Sequence, residues 1–330
     1  MLQLNNKTPF AASMALFPNL ECVDTMYVMV KATFNIASKW TLVDEQIPPV
    51  EADIYWGEPE TSSIKYASDY HTGKPATDII MTGLACASGQ QMTNQLDVHL
   101  SVGKVSKSVR VFGDRQWIDG QISHPAPFKT MPLVYEKSFG GMHFVEGEID
   151  SSEERNPLGC GFAGNRSARE MNGVPLPNLE DPRDLISAHT QTPRPACFGY
   201  CSPAWEPRAR YAGTYDEVWQ TQRAPYLPED FDNRFFNMAH PDLVYPGYLQ
   251  GGEAVSIKGM HPGGDLNFEL PKINLLSQFK LKDQIDSAAF KLETLHLEPN
   301  LLQLSLVWRA AYPCDKKALK IEEIKVSLSQ

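Results

Sequence analysis

No run in the chain approaches the roughly 18 consecutive apolar residues of a membrane-spanning helix, so direct membrane insertion is not expected. The opening Met1-Leu2-Gln3-Leu4-Asn5-Asn6-Lys7 lacks the basic-then-apolar order of a secretory signal, which points to the cytoplasm. Cysteine is sparse: six residues at 22, 86, 160, 197, 201 and 314, with no framework spacing. A chain this long needs no staples, and the six read as reduced thiols. Basic residues are in the minority, 30 Lys+Arg against 40 Asp+Glu, for a net charge of -10. The phosphate field of a nucleic acid or an anionic lipid surface repels such a chain, so no nucleic-acid partner is expected. Gly-x-Ser-x-Gly, His-x-x-x-His and an ATP-binding motif are all missing, which leaves the common hydrolase, zinc and nucleotide signatures unrepresented.

What is there reads as globular and mainly β. Hydrophobic residues make up 42% and charged residues 21% of 330, enough for one large core or two ordinary domains. Leu96, Val98, Leu100 and Val102 alternate with Asp97, His99 and Ser101, the period of a strand with one wet face. Gly103-Lys104 then fits a type II′ turn, with Val105, Val109 and Val111 returning. Met26, Val28 and Val30, running on to Phe34 and Ile36, predict a further strand, and 77–86 another. Towards the C-terminus Leu266, Phe268 and Leu270 alternate with polar residues. Leu295 and Leu297 lead into a Pro299-Asn300 turn, and Leu302, Leu304, Leu306 and Trp308 come back. Ile324, Val326 and Leu328 form a last strand. Many short strands between turn signals predict an antiparallel β-sandwich or barrel-like scaffold.

Proline divides the chain. Fifteen of the 25 prolines fall within 121–250, where they interrupt ladders and helices. That middle is nonetheless rich in aromatics, which a disordered linker is not. It predicts long ordered loops packed by their own side chains, with a short helix near 214–223 capped by Thr214 with Glu217 three residues on, and stopped by Pro225. The expected organisation is one domain over 1–330. An N-terminal β part, 1–120, and a C-terminal β part, 251–330, join in one sandwich that the middle decorates. Two small β domains are the other arrangement these strands allow.

Candidate chemistry is thin. Gly159-Cys160-Gly161-Phe162-Ala163-Gly164 spells a dinucleotide fingerprint, but the polar, proline-ended 150–157 precedes it instead of a buried strand, so a structural glycine loop is expected. Cys197-x-x-x-Cys201 has no second pair, and Asp230-x-Asp232 is followed by Arg234 where a calcium loop needs oxygen. No metal and no cofactor are expected. Glu180-Asp181 and Glu229-Asp230 read as solvated loops or caps, and His99 and His296 as surface histidines on the polar faces of strands. The arginine and aromatic content of the middle is more informative, because these types dominate protein–protein hot spots. Trp205, Arg208, Tyr215, Trp219, Phe231, Arg234, Phe235, Phe236 and Tyr248 are the candidate partner-binding residues; no catalytic residue is assigned.

Eight strings follow in one order: Glu58-Pro59-Glu60-Thr61-Ser62-Ser63-Ile64-Lys65-Tyr66, Val111-Phe112-Gly113-Asp114-Arg115-Gln116-Trp117, Tyr135-Glu136-Lys137-Ser138-Phe139-Gly140-Gly141, Asn156-Pro157-Leu158-Gly159-Cys160-Gly161-Phe162, Leu176-Pro177-Asn178-Leu179-Glu180-Asp181-Pro182, Ala212-Gly213-Thr214-Tyr215-Asp216-Glu217-Val218-Trp219, Asp230-Phe231-Asp232-Asn233-Arg234-Phe235-Phe236-Asn237 and Gly247-Tyr248-Leu249-Gln250-Gly251-Gly252-Glu253. This succession, from Lys31-Ala32-Thr33-Phe34 to the last strand, resembles the bacterial family catalogued as domain of unknown function 2169. The resemblance implies a cytoplasmic chaperone or adaptor of type VI secretion that holds a PAAR-type effector, often by its N-terminal part, and helps load it on the spike protein. It carries over no catalytic residue. The rival expectations are a carboxylate- or thiol-dependent hydrolase and an exported structural component of the spike.

Overall fold

The structure, a computed structural model, describes residues 2–282 and 284–329. Its main strands are β1 (Gln3–Asn6), β2 (Ala11–Pro18), β3 (Asp24–Asn35), β4 (Asp78–Met81), β5 (Gln95–Val102), β6 (Val105–Phe112), β7 (Leu179–Glu180), β8 (Ala254–Lys258), β9 (Leu266–Glu269), β10 (Leu275–Leu281), β11 (Gln284–Ala289), β12 (Lys291–Glu298), β13 (Gln303–Pro313) and β14 (Ile321–Leu328). The α-helix Glu217–Gln222 is α1.

The strands form three principal sheets. The central one runs β2-β3-β13-β12-β4, antiparallel except for the parallel β12–β4 edge. The second runs β7-β6-β5-β8-β9 and is antiparallel throughout. The third runs β1-β14-β10-β11, with β1 parallel to β14. The protein is therefore mainly β, and among the described residues its sheets stay open and do not close into a barrel. N-terminal and C-terminal strands interleave in all three: Val30 pairs with Trp308, Leu100 with Ile257 and Leu4 with Ile324. One contiguous core draws on every sheet, through Val28 and Leu306, Leu100 and Val109, and Phe279 and Ile324.

The alternations resolve as expected at the β5–β6 hairpin. Val102 pairs with Val105, and the positive φ falls on Gly103, where a type II′ turn wants its glycine. The predicted 77–86 strand is split at Gly83 (φ +147) into β4 and a short Leu84–Cys86 strand. The short helix forms, but Asp216 caps it and Thr214 does not. The Asp216 carboxylate accepts from Trp219 N at 2.8 Å, whereas the Thr214 N–H and hydroxyl both donate to Asp230. The glycine run is structural. Gly161 holds φ +88 with Pro177 Cδ 2.8 Å from where a Cβ would stand, and a Cβ on Gly159 would meet the Ser138 carbonyl at 2.6 Å.

The central sheet is covered on both sides, and the two sides differ. One face carries Val28, Val30, Ala32 and Phe34 of β3, Leu304, Leu306 and Trp308 of β13, and Leu295 and Leu297 of β12. The other carries Lys31, Thr33, Ser305, Arg309, Thr294, His296 and Asp78, all buried. His296 is thus not a surface histidine. Its strand's polar face is roofed by loops, its ring lies against Tyr66 and Tyr200, and Thr82 Oγ1 is 2.9 Å from Nε2. Burial, helped by the charge of Lys31, pulls its pKa down to about 3. His99 is half-exposed and bonds Ser108, as its strand face predicts.

Candidate partner-binding surface

The proline-rich middle is bolted to the polar face of the central sheet. Lys74 Nζ bonds Asp78 Oδ2 at 2.6 Å and Thr294 Oγ1 at 2.9 Å, and the same carboxylate accepts from Asn237 Nδ2 and Met238 N at 2.9 and 2.8 Å. A β-bulge between Leu292 and Thr294 places Glu293 so that it accepts from Arg309 Nε at 2.7 Å and Lys74 N at 3.1 Å. Arg309 Nη2 donates to the Asp69 carbonyl at 2.5 Å and lies 3.1 Å from His71 Nε2. His71 stacks on Phe236 with ring centroids 5.0 Å apart. Burial first, then the charges of Arg309, Lys74 and Arg208, hold its pKa well below the ordinary value, so it sits there as neutral imidazole.

This anchoring sorts the candidate residues into two sets. Trp205, Arg208 and Phe231 are buried and belong to the interior of the loops, where they offer a partner little surface. Trp205 packs edge-on against Tyr135 at 5.2 Å. Arg208 donates to the carbonyls of Cys201 and Phe235 at 2.5 and 2.9 Å, satisfying turns that have no ladder partner. Phe231, Phe235 and Phe236 form a triangle of rings 5.4–5.6 Å apart, the last two half-buried. Tyr248 is half-buried and donates to the Lys74 carbonyl at 2.6 Å; burial pushes its pKa up to about 12.

The other set faces outward. Around α1, Tyr215 is 54% and Val218 59% exposed. Tyr215 meets Trp219 edge-on at 4.7 Å, and Trp219 Nε1 donates to the Tyr226 carbonyl at 2.8 Å. Arg223 ties this lobe down through the carbonyls of Leu227 and Leu20, at 2.8 and 2.6 Å. Arg234 is exposed, clasped by Asp232 and set over the Tyr211 ring at 4.4 Å. Thus among the nine candidates Tyr215 and Arg234 are exposed, with Trp219, half-buried like Phe235, Phe236 and Tyr248, packed beside Tyr215, and all three sit on anchored backbone.

A second apolar projection escaped the sequence reading. The hairpin Met142–Val145/Glu148–Ser152 pairs Phe144 directly with Ile149, and the two are 56% and 57% exposed, with Val145 beside them. The signal was the Glu146-Gly147 turn, whose residues both hold positive φ (+51 and +91), after the apolar Phe144-Val145 and before the lone Ile149.

The remaining chemistry candidates settle into structural roles. Glu180 is buried and paired with Arg115, and Asp181 is buried with Arg183 across it; neither is the solvated carboxylate that its composition suggested. The Arg183 hydrogen bonds hold Asp181 down at about 2. Glu229 and Asp230 are exposed, as expected. Cys197 and Cys201 are buried thiols; burial pushes Cys197 up to about 12, and Cys201 Sγ lies 3.0 Å from Tyr135 Oη. Among the described residues no three His, Cys, Asp or Glu side chains gather as a metal site.

The fold and surface thus define a mainly β scaffold that presents anchored aromatic loops. The chain belongs to the bacterial family described as "Uncharacterized protein conserved in bacteria", domain of unknown function 2169, whose model matches residues 21–309. Neither a search among curated proteins nor one among solved structures gives a match. No helix among the described residues is long and apolar enough to cross a membrane.

Proposed function

We propose that this protein is a cytoplasmic chaperone or adaptor that binds a type VI secretion effector, through a PAAR-type or N-terminal region, and helps mount it on the spike. Two things support the reading: membership of the family, with the ordered strings read above, and the outward aromatic lobe at α1. The observation that carries it is the exposure of Tyr215 and Val218 on a lobe whose backbone is fixed by Arg223 and Asp230. Apolar side chains held out on ordered backbone lose little conformational entropy when covered, and their burial contributes about 25 cal/mol per Å².

An effector that exposes apolar surface before assembly would be shielded by such a lobe. Release at the spike would need only a competing contact, with no covalent step. The test is an in-frame deletion in the native host, with effector abundance, solubility and delivery measured. Loss of soluble effector, restored by the gene in trans, is expected; unchanged abundance and delivery would overturn the reading. Detection of the protein itself in secretion supernatants would favour an exported spike component instead.

A further inference from the structure

Between β11 and the C-terminal half of β13 lies a cleft of about 480 Å³. Its charged lining is Lys74, Lys291, Arg309 and Glu293, three cations against one carboxylate in a chain of net charge -10. Glu293 is already engaged by Arg309 Nε and Lys74 N, and the Lys74 ammonium by Asp78 and Thr294. Among the described residues one uncompensated charge, on Lys291, and one unpartnered donor, on Arg309, are left over. Arg309 Nη1 is buried with no hydrogen-bond partner among the described residues. Lys291 is exposed, its Nζ 5.0 Å from the Tyr248 ring centroid, and it forms no ion pair with any described carboxylate.

These two residues are direct cross-strand partners in the β12–β13 ladder, so their side chains leave the sheet on the same face. Lys291 lacks a counter-charge among the described residues while Arg309 already has one in Glu293, and the unpaired buried Nη1 of Arg309 is costly. One negative group between them would relieve both. We propose that this cleft binds a small oxyanion, a carboxylate or a phosphate group, held by Arg309 Nη1 and Lys291 Nζ. Tyr248 and Asn233 also line the cleft and flank the approach. The proposal is independent of the adaptor reading.

The full-length protein is titrated with inorganic phosphate and, separately, with acetate, at constant ionic strength in chloride. Binding is read by calorimetry and by the thermal midpoint. Saturable binding of at least one anion is expected: phosphate alone assigns a tetrahedral group, acetate alone a planar one. Lys291→Glu, a change on an exposed side chain, should weaken that binding tenfold or more. Arg309→Lys, which keeps the charge and removes Nη1, should weaken it too. Lys104→Glu makes the same charge change in the β5–β6 turn and should leave binding intact. If Arg309→Lys does not fold, the two lysine variants still decide. Absence of saturable binding, an unaffected Lys291→Glu, or equal losses in both lysine variants overturns the proposal.

Discussion

Lys74 Nζ and Asp78 Oδ2 stand 2.6 Å apart, with side-chain exposures of 3% and 0%, where the loops meet the polar face of the central sheet. An ion pair so buried stabilises little net, but removing one partner strands the other charge. Asp78→Asn and Lys74→Met should each lower unfolding free energy by about 3–5 kcal/mol. The double variant Lys74→Met/Asp78→Asn should lose less than the sum of the singles. Urea unfolding of the four proteins completes the cycle; additive losses would show that the pair does not couple.

The two sets of loop aromatics should separate in the same assay. Phe231→Ala removes a buried ring from a three-ring cluster and should cost about 3–5 kcal/mol. Tyr215→Ala and Val218→Asp, on exposed side chains, should stay within about 0.5 kcal/mol of the parent. If the α1 lobe is the contact surface, Tyr215→Ala with Val218→Asp should weaken capture of the cognate effector at least tenfold. Full capture by that stable double variant would move the contact elsewhere, with the Phe144–Ile149 hairpin the next surface to test.

His296 gives stability a direction in pH. Its folded pKa lies near 3, below the ordinary 6.5 of the unfolded imidazole. Between those values the unfolded chain binds a proton that the folded chain refuses. Stability therefore falls as pH drops below about 6.5, by up to about 1.4 kcal/mol per pH unit from this group. His71 and His240, also lowered by burial, add in the same direction. His296→Gln should flatten the profile between pH 6.5 and 4.5, measured by urea midpoints. An unchanged slope would mean that the ring is already protonated in the fold.

Thiol labelling should follow burial. Cys22, Cys86 and Cys160 are partly accessible, whereas Cys197, Cys201 and Cys314 are buried. With iodoacetamide at pH 8, mass spectrometry should find Cys22 and Cys86 labelled well before Cys197 and Cys201. Fast modification of Cys197 would contradict a pKa pushed up to about 12.

Period-2 alternation made β5, β6, β12, β13 and β14 legible, because each turns one side chain in two to the apolar core. The same rule misled at His296. Alternation says which residues share a face, but not whether that face meets water, and here distant loops cover it. Composition could not separate Phe231 from Tyr215, since both lie in aromatic, proline-punctuated loops and only tertiary packing buries the first. The helix cap lies two residues beyond the Thr214 capping pattern because Thr214 and Asp216 are both good caps and Asp230, 16 residues on, claims Thr214. Lys291 and Arg309 carry no local signal at all; their juxtaposition exists only in the β12–β13 register.

The interleaving of distant strands has a kinetic consequence. β3 finds its main partner in β13, so the N-terminal half of the central sheet cannot complete its ladder until the ribosome has released most of the polypeptide. At roughly 5–20 residues per second, apolar strands made early wait on the order of 15–60 s for their mates. Pairings so remote along the chain also make for slow collapse to the final topology. Nascent-chain binding factors should therefore matter more for the yield of this protein than for a helical bundle of equal length, and a stop codon placed before Gln303 should send the product to inclusion bodies.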